Sequence, residues 1–224
     1  AKRPWIPYHE FLTQYSAEIV GSLEKEVVVM NSLSVNLHLL MTSFYRPTGK
    51  KKKIIIETNA FPSDRYAVQS QLKFHENHPT DDLIILQPND GAIITTDWIL
   101  EYFEQQGNEI AMMLIGGVNY YSGQAFDMKA ITMKAHEYNC IVGFDLAHGA
   151  GNVKLNLHEW GVDFAAWCGY KYLNGGPGAP SGIFIHERHL GKADIPRFEG
   201  WWGHDKSTRF EMPDQFIPME TAEA

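Results

Sequence analysis

Short apolar runs at 27–30, 54–56, 83–86, 110–118, 140–148, 164–171 and 182–186 alternate along the chain with stretches of helical periodicity. Runs of this kind, rich in valine and isoleucine and not alternating with polar residues, are what strands need when both faces of a sheet are covered. Helices between them supply parallel crossovers. The expectation is an α/β fold: a mostly parallel sheet flanked by helices, with the 182–186 strand pairing antiparallel to the one before it. Helices are predicted over 8–20 (closed by Gly21), 35–45, from Pro62 through Leu72, from a Thr96 cap to Gly107, over 127–138 and, briefly, over 155–160. A turn is predicted at Pro88, Asn89, Asp90 and Gly91.

Chemistry-bearing residues gather where these runs end. The 140–148 run delivers Asp145 and then His148, followed by Gly149 and Gly151; the 164–171 run ends in Lys171 and a glycine-rich turn. An ionisable group just past a buried strand stands on a rigid rim, where open α/β sheets hold ligands. Pyridoxal phosphate catalysis uses such an acid and amine. Lys171 would capture the cofactor's aldehyde, and Asp145 would pair with its ring nitrogen. Taken alone, the two residues read equally well as surface charges at strand ends.

Other segments fit one purpose or a plainer one. Asn31, Ser32, Leu33 and Ser34 lie between a strand and a helix, where free amides and the positive dipole end make an anion site, or where the cluster is simply a cap. Phe61, before Pro62, Ser63 and Asp64, is placed to cover a flat cofactor face or to plug the core beneath its loop. The Arg46–Lys53 stretch reads as a solvated basic loop. His186 and His189 lack the His-Glu-x-x-His spacing of zinc hydrolases, so no metal is expected.

The 224 residues carry 19 basic and 27 acidic side chains for a net charge of −8, which argues against a nucleic-acid partner. No apolar stretch is long enough to span a membrane. The two cysteines, Cys140 and Cys168, fall in apolar runs and read as reduced core residues of a cytosolic protein.

Asp-Leu-Ala-His (145–148), Tyr-Lys-Tyr-Leu-Asn (170–174), Ala-Phe-Pro-Ser-Asp (60–64), Gly-Trp-Trp-Gly-His (200–204) and the 31–40 segment together resemble the kynureninase family. These are fold-type I pyridoxal-phosphate enzymes close to the class V aminotransferases. The resemblance implies that residues 1–224 are the cofactor-binding large domain. It further implies that Lys171 is the cofactor-bearing lysine and proton carrier, and that Asp145 is the ring-nitrogen partner. His148 and Asp64 would lie near the oxygen-bearing edge of the ring, with Phe61 on its face beside Pro62 and Ser63. Leu33, Ser34 and Tyr170 would hold the phosphate, and Trp201 would reach it from the neighbouring subunit of a homodimer. The implied reaction is hydrolysis of L-kynurenine or its 3-hydroxy form to an anthranilate and L-alanine. Family members also carry N-terminal and C-terminal segments beyond the motifs here, so the chain is expected to be a fragment without the small domain. Two other readings stay open: another fold-type I enzyme, either an aminotransferase or a cysteine desulfurase-like lyase (against which the lack of a loop cysteine argues), and a non-catalytic remnant.

Overall fold

The computed structural model describes residues 4–89, 91 and 93–224. Ala1, Lys2 and Arg3 of the opening segment lie outside the described residues, and so does Asp90 of the expected 88–91 turn. Seven strands form one sheet in the order β1-β7-β6-β5-β4-β2-β3: β1 (Val27–Val29), β2 (Lys53–Glu57), β3 (Leu83–Leu86), β4 (Ile110–Gly116), β5 (Ile141–Asp145), β6 (Phe164–Trp167) and β7 (Gly182–Ile185). Strands β3, β2, β4, β5 and β6 are mutually parallel, while β7 runs antiparallel to both β6 and β1. The mostly parallel sheet and the antiparallel 182–186 strand are therefore as the sequence predicts.

Side chains alternate between two cores. Ile55, Met113, Ile115, Val142, Phe144 and Trp167 face one side, packed by α1 (Thr13–Val20), α5 (Thr96–Gln106), α6 (Met128–Glu137) and the single-turn α7 (Leu157–Trp160). Ile54, Ile56, Met112, Leu114 and Phe164 face the other, under α2 (Leu33–Phe44) and α3 (Pro62–Phe74). Covered on both faces, the strands can be apolar at every position, which is why they stand out in the sequence. A further short helix, α4 (Pro79–Asp82), leads into β3.

Several boundaries differ from the expectation. The first helical stretch is a 3-10 turn over Tyr8–Leu12 followed by α1, closed by Gly21 at φ 64°. Thr95, not Thr96, caps α5, its hydroxyl accepting from the Trp98 amide at 3.2 Å. Gly107 keeps a right-handed conformation instead of a left-handed cap. A Cβ there would meet the Tyr138 ring at 2.4 Å, so packing against α6 is the reason for that glycine. The main correction concerns β6, which stops at Trp167. Cys168 is the first residue of the following loop, still 2 % exposed, and Lys171 sits further along that loop. Gly169 permits this close turn, because a Cβ would stand 2.2 Å from the Pro180 carbonyl oxygen.

Two buried carboxylates brace the edge of the sheet opposite Asp145. Glu26 accepts from the Leu23 and Glu187 amides at 2.9 and 2.7 Å and from His158 Nδ1 at 2.9 Å, while His186 Nδ1 accepts from the Arg188 amide. These lone pairs are committed to holding the chain. Asp163 accepts from His136 and His189, each at 2.8 Å, from Arg188 at 2.6 Å and from the Val142 amide at 2.8 Å. Burial pushes the Asp163 carboxyl up, but the hydrogen bonds from the two histidines and the Arg188 charge outweigh it and hold it well below the usual range. A depressed folded-state pKa adds stability that is present above the unfolded value of about 3.9 and is lost as pH falls through the folded one. Asp163→Ala should cost about 3–5 kcal/mol, read as a lower urea midpoint, because it strands buried donors. Asp163→Asn should flatten the acid side of the stability profile.

Candidate active site

The carboxyl ends of β2, β4 and β5 bring Glu57, Gly116 and Asp145 to one edge. Strand β3 lies on one side of β2 and β4 on the other, so the winding of the chain reverses there and the crossing helices diverge, opening a crevice. A cavity of about 510 Å³ fills this place. Its wall includes Leu33, Ser34, Phe61, Ser63, Asp64, Asp145, His148, Tyr170 and Lys171.

Asp145 ends β5 with 6 % of its surface exposed, and its Oδ1 accepts from the Ala147 amide at 2.6 Å. It also shares a hydrogen bond with Asp64, brought over by the first turn of α3. Two carboxyls can bond side by side only if a proton lies between them. Burial raises both, and Asp64 is raised further by the charge of Asp145. The pair is thus a buried site with excess negative charge, suited to a cationic partner. Across the cavity Lys171 Nζ stands 3.2 Å from His148 Nε2 and 5.6 Å from the centre of the Phe61 ring. Burial, then the Lys171 charge, lowers the His148 pKa, so the imidazole is neutral near pH 7 and able to accept from the amine.

Phe61 is the N-cap of α3 and is 46 % exposed, with its ring edge-to-face with Tyr120 at 5.3 Å. It lines the cavity and does not plug the core. Pro62 takes the first position of α3, where proline's missing N–H costs nothing, and faces an adjoining groove. At the far end, Ser32 precedes α2 but makes no side-chain cap bond, which leaves the first amides of the helix for an anion. The turn before it is fixed by Asn31, at φ 53°, and by buried Asn36, which donates to the Met30 carbonyl at 2.9 Å. Tyr170 is half exposed, and the nearby Cys168 thiol raises its phenol pKa, while burial raises that of Cys168. Trp201 does not line this cavity. It lies in the turn Trp201–Gly203, where its Nε1 donates to the Arg209 carbonyl at 2.9 Å.

Glu57, Gly116, Val118, Tyr120 and Ala147 also line the cavity, although the sequence reading gave them no role. Glu57 carried the same signal as Asp145, a carboxylate at the end of an apolar run.

The chain belongs to the aminotransferase class-V family, whose model matches residues 13–199. Within it, the sequence is 56 % identical to a kynureninase of Myxococcus xanthus over 99 % of this chain and 52 % of that protein. It is 57 % identical to a kynureninase of Koribacter versatilis over 99 % of this chain and 53 % of that protein. The chain thus spans about half the length of the curated relatives it matches. Among solved structures, a cysteine desulfurase from Thermococcus onnurineus shares the fold at TM-score 0.73 and 20 % identity, over 96 % of this chain and 50 % of that one. The cystine C-S lyase C-DES does so at 0.70 and 18 %, over 96 % and 54 %.

Proposed function

We propose that this chain is the cofactor-binding large domain of a pyridoxal-phosphate-dependent kynureninase. The parent enzyme would hydrolyse L-kynurenine or 3-hydroxy-L-kynurenine to anthranilate or 3-hydroxyanthranilate and L-alanine. The observation that carries this reading is one cavity holding Lys171 beside His148, the Asp64–Asp145 pair and the open start of α2. High identity to kynureninases over nearly the whole chain supports the substrate class.

Bound pyridoxal phosphate supplies an electron sink for charge developing next to the substrate's amino carbon. The chain's own residues hold the cofactor and handle the α-proton. Lys171 Nζ attaches the cofactor, then removes the substrate α-proton and returns it; His148 accepts from that amine and keeps it oriented. Asp145 holds a proton on the ring nitrogen, and Asp64 donates to Asp145 and fixes its orientation. Phe61 covers one ring face and excludes water, with Pro62 and Ser63 setting the loop. The amides of Leu33 and Ser34, the Ser34 hydroxyl and the Tyr170 phenol bind the phosphate. Trp201, away from its own cavity, serves the site of a second copy in a homodimer. Two unpaired buried cysteines suit a cytosolic enzyme, and among the described residues no helix is long and apolar enough to cross a membrane.

The test is turnover by the full-length protein with cofactor and L-kynurenine. Anthranilate and alanine released in equal amounts support the assignment. A cofactor-loaded protein that leaves kynurenine intact but releases sulfur from cysteine would replace it with the desulfurase reading.

A further inference from the structure

Glu57 ends β2 at the point where the sheet order reverses, with 5 % of its surface exposed. Its Oε1 accepts from the Gly116 amide at 3.0 Å, and Gly116 is the register partner of Asp145 in the neighbouring strand. A Cβ on Gly116 would stand 3.0 Å from that oxygen, so the glycine leaves room for the carboxyl to lie across the end of β4. Asn119, in the loop after β4, also pulls the Glu57 carboxyl down, and its Nδ2 reaches the Thr58 and Asn59 carbonyls, each at 3.4 Å. The end of β4 thus holds the carboxyl next to the register partner of Asp145, and Asn119 ties the loops after β4 and β2 together beside it.

We propose that Glu57 is a positioning residue of the cradle: a third carboxyl, set behind Asp145, whose negative charge strengthens the hold on a cationic ring nitrogen. This rests on the cofactor reading given above. Glu57, Asp64 and Asp145 line one cavity with His148, Lys171, Tyr120 and Tyr170, and Arg65 and Tyr66 flank Glu57 in the adjoining groove. Burial pushes the Glu57 carboxyl up to about 7; the Gly116 amide pulls it down and the Asp145 charge pushes it up. Its charge therefore changes across neutral pH. Below that range the cradle holds a neutral Glu57; above it, an additional anion faces the ring nitrogen through Asp145.

The test uses the full-length protein and pyridoxine 5′-phosphate, which carries the ring and phosphate but no aldehyde, so attachment to Lys171 does not enter. Dissociation constants are measured by calorimetry for wild type and Glu57→Gln, which keeps an oxygen for the Gly116 amide and removes the charge. Folding of the variant is checked by circular dichroism. The expected ratio of variant to wild-type Kd is near one at about pH 5.5 and rises to about tenfold at about pH 8, the equivalent of one pKa unit. Glu57→Asp should restore part of the difference. A ratio that does not change with pH, with wild type binding normally, overturns the role of Glu57 alone. A wild type that does not bind the probe overturns the cofactor reading and this proposal together.

Discussion

Lys171→Ala in the full-length enzyme is expected to lower kcat/KM for kynurenine by at least about 10³-fold, within or beyond the 10²–10⁴ that a positioned acid–base is worth. On the proposed assignment the substitution removes two functions at once: the attachment of the cofactor and the carrier of the substrate α-proton. It should not unfold the protein, since Lys171 lies in a loop after β6 and its Nζ reaches His148 and the Phe61 ring at the cavity. Cofactor should still bind through the start of α2, but come away on gel filtration. Rate assays together with the dialysed absorbance spectrum check this. A variant that keeps the lysine-bound yellow colour would place the attachment elsewhere.

The second large effect is expected at Asp145. Asp145→Asn keeps the size of the side chain and removes the charge proposed to face the ring nitrogen. A hydrogen bond to a charged group is worth about 1.5–3 kcal/mol, so cofactor affinity should fall about 10- to 100-fold. Turnover should fall further, because an unprotonated ring is a weaker electron sink. Stability without cofactor should move the opposite way. Asp64 and Asp145 both have raised pKa values in the folded chain. A raised folded-state value contributes stability that is present below the unfolded pKa of about 3.9 and is lost as pH rises through the folded value. Removing one of the two carboxylates lifts that penalty, so the apo variant should melt higher than wild type near pH 8. Equilibrium dialysis with the cofactor and thermal melts across pH give the two readings.

The α/β class was legible because each inner strand is buried on both faces and so reads as an unbroken apolar run. Asp145 was legible for the same reason, as the polar residue at which such a strand ends, while Lys171 stood out only as the first charge after one. The point where β6 stops was not. Cys168 remains buried beyond the last ladder position, so an apolar count carries on through it toward Lys171. Phe61 could be read as lid or plug until its exposure and its contact with Tyr120 placed it on the cavity wall. The Asp64–Asp145 hydrogen bond joins α3 to β5 across the crevice, and no local pattern announces a pairing between residues so far apart in the chain. Glu57 was hidden similarly. Its neighbours Gly116 and Asp145 come from other strands, and only the sheet order puts the three together. Trp201 carried its assignment through the family motif alone, and in this chain its ring packs with Trp202 and Phe210 outside the cavity.

The most direct test of the account is borohydride reduction of the full-length protein loaded with pyridoxal phosphate, followed by peptide mapping. The account predicts one reduced pyridoxyl adduct, on Lys171, with Lys50, Lys51, Lys52 and Lys53 unmodified at stoichiometric cofactor. An adduct on any other lysine, or none in a protein that still cleaves kynurenine, would contradict it.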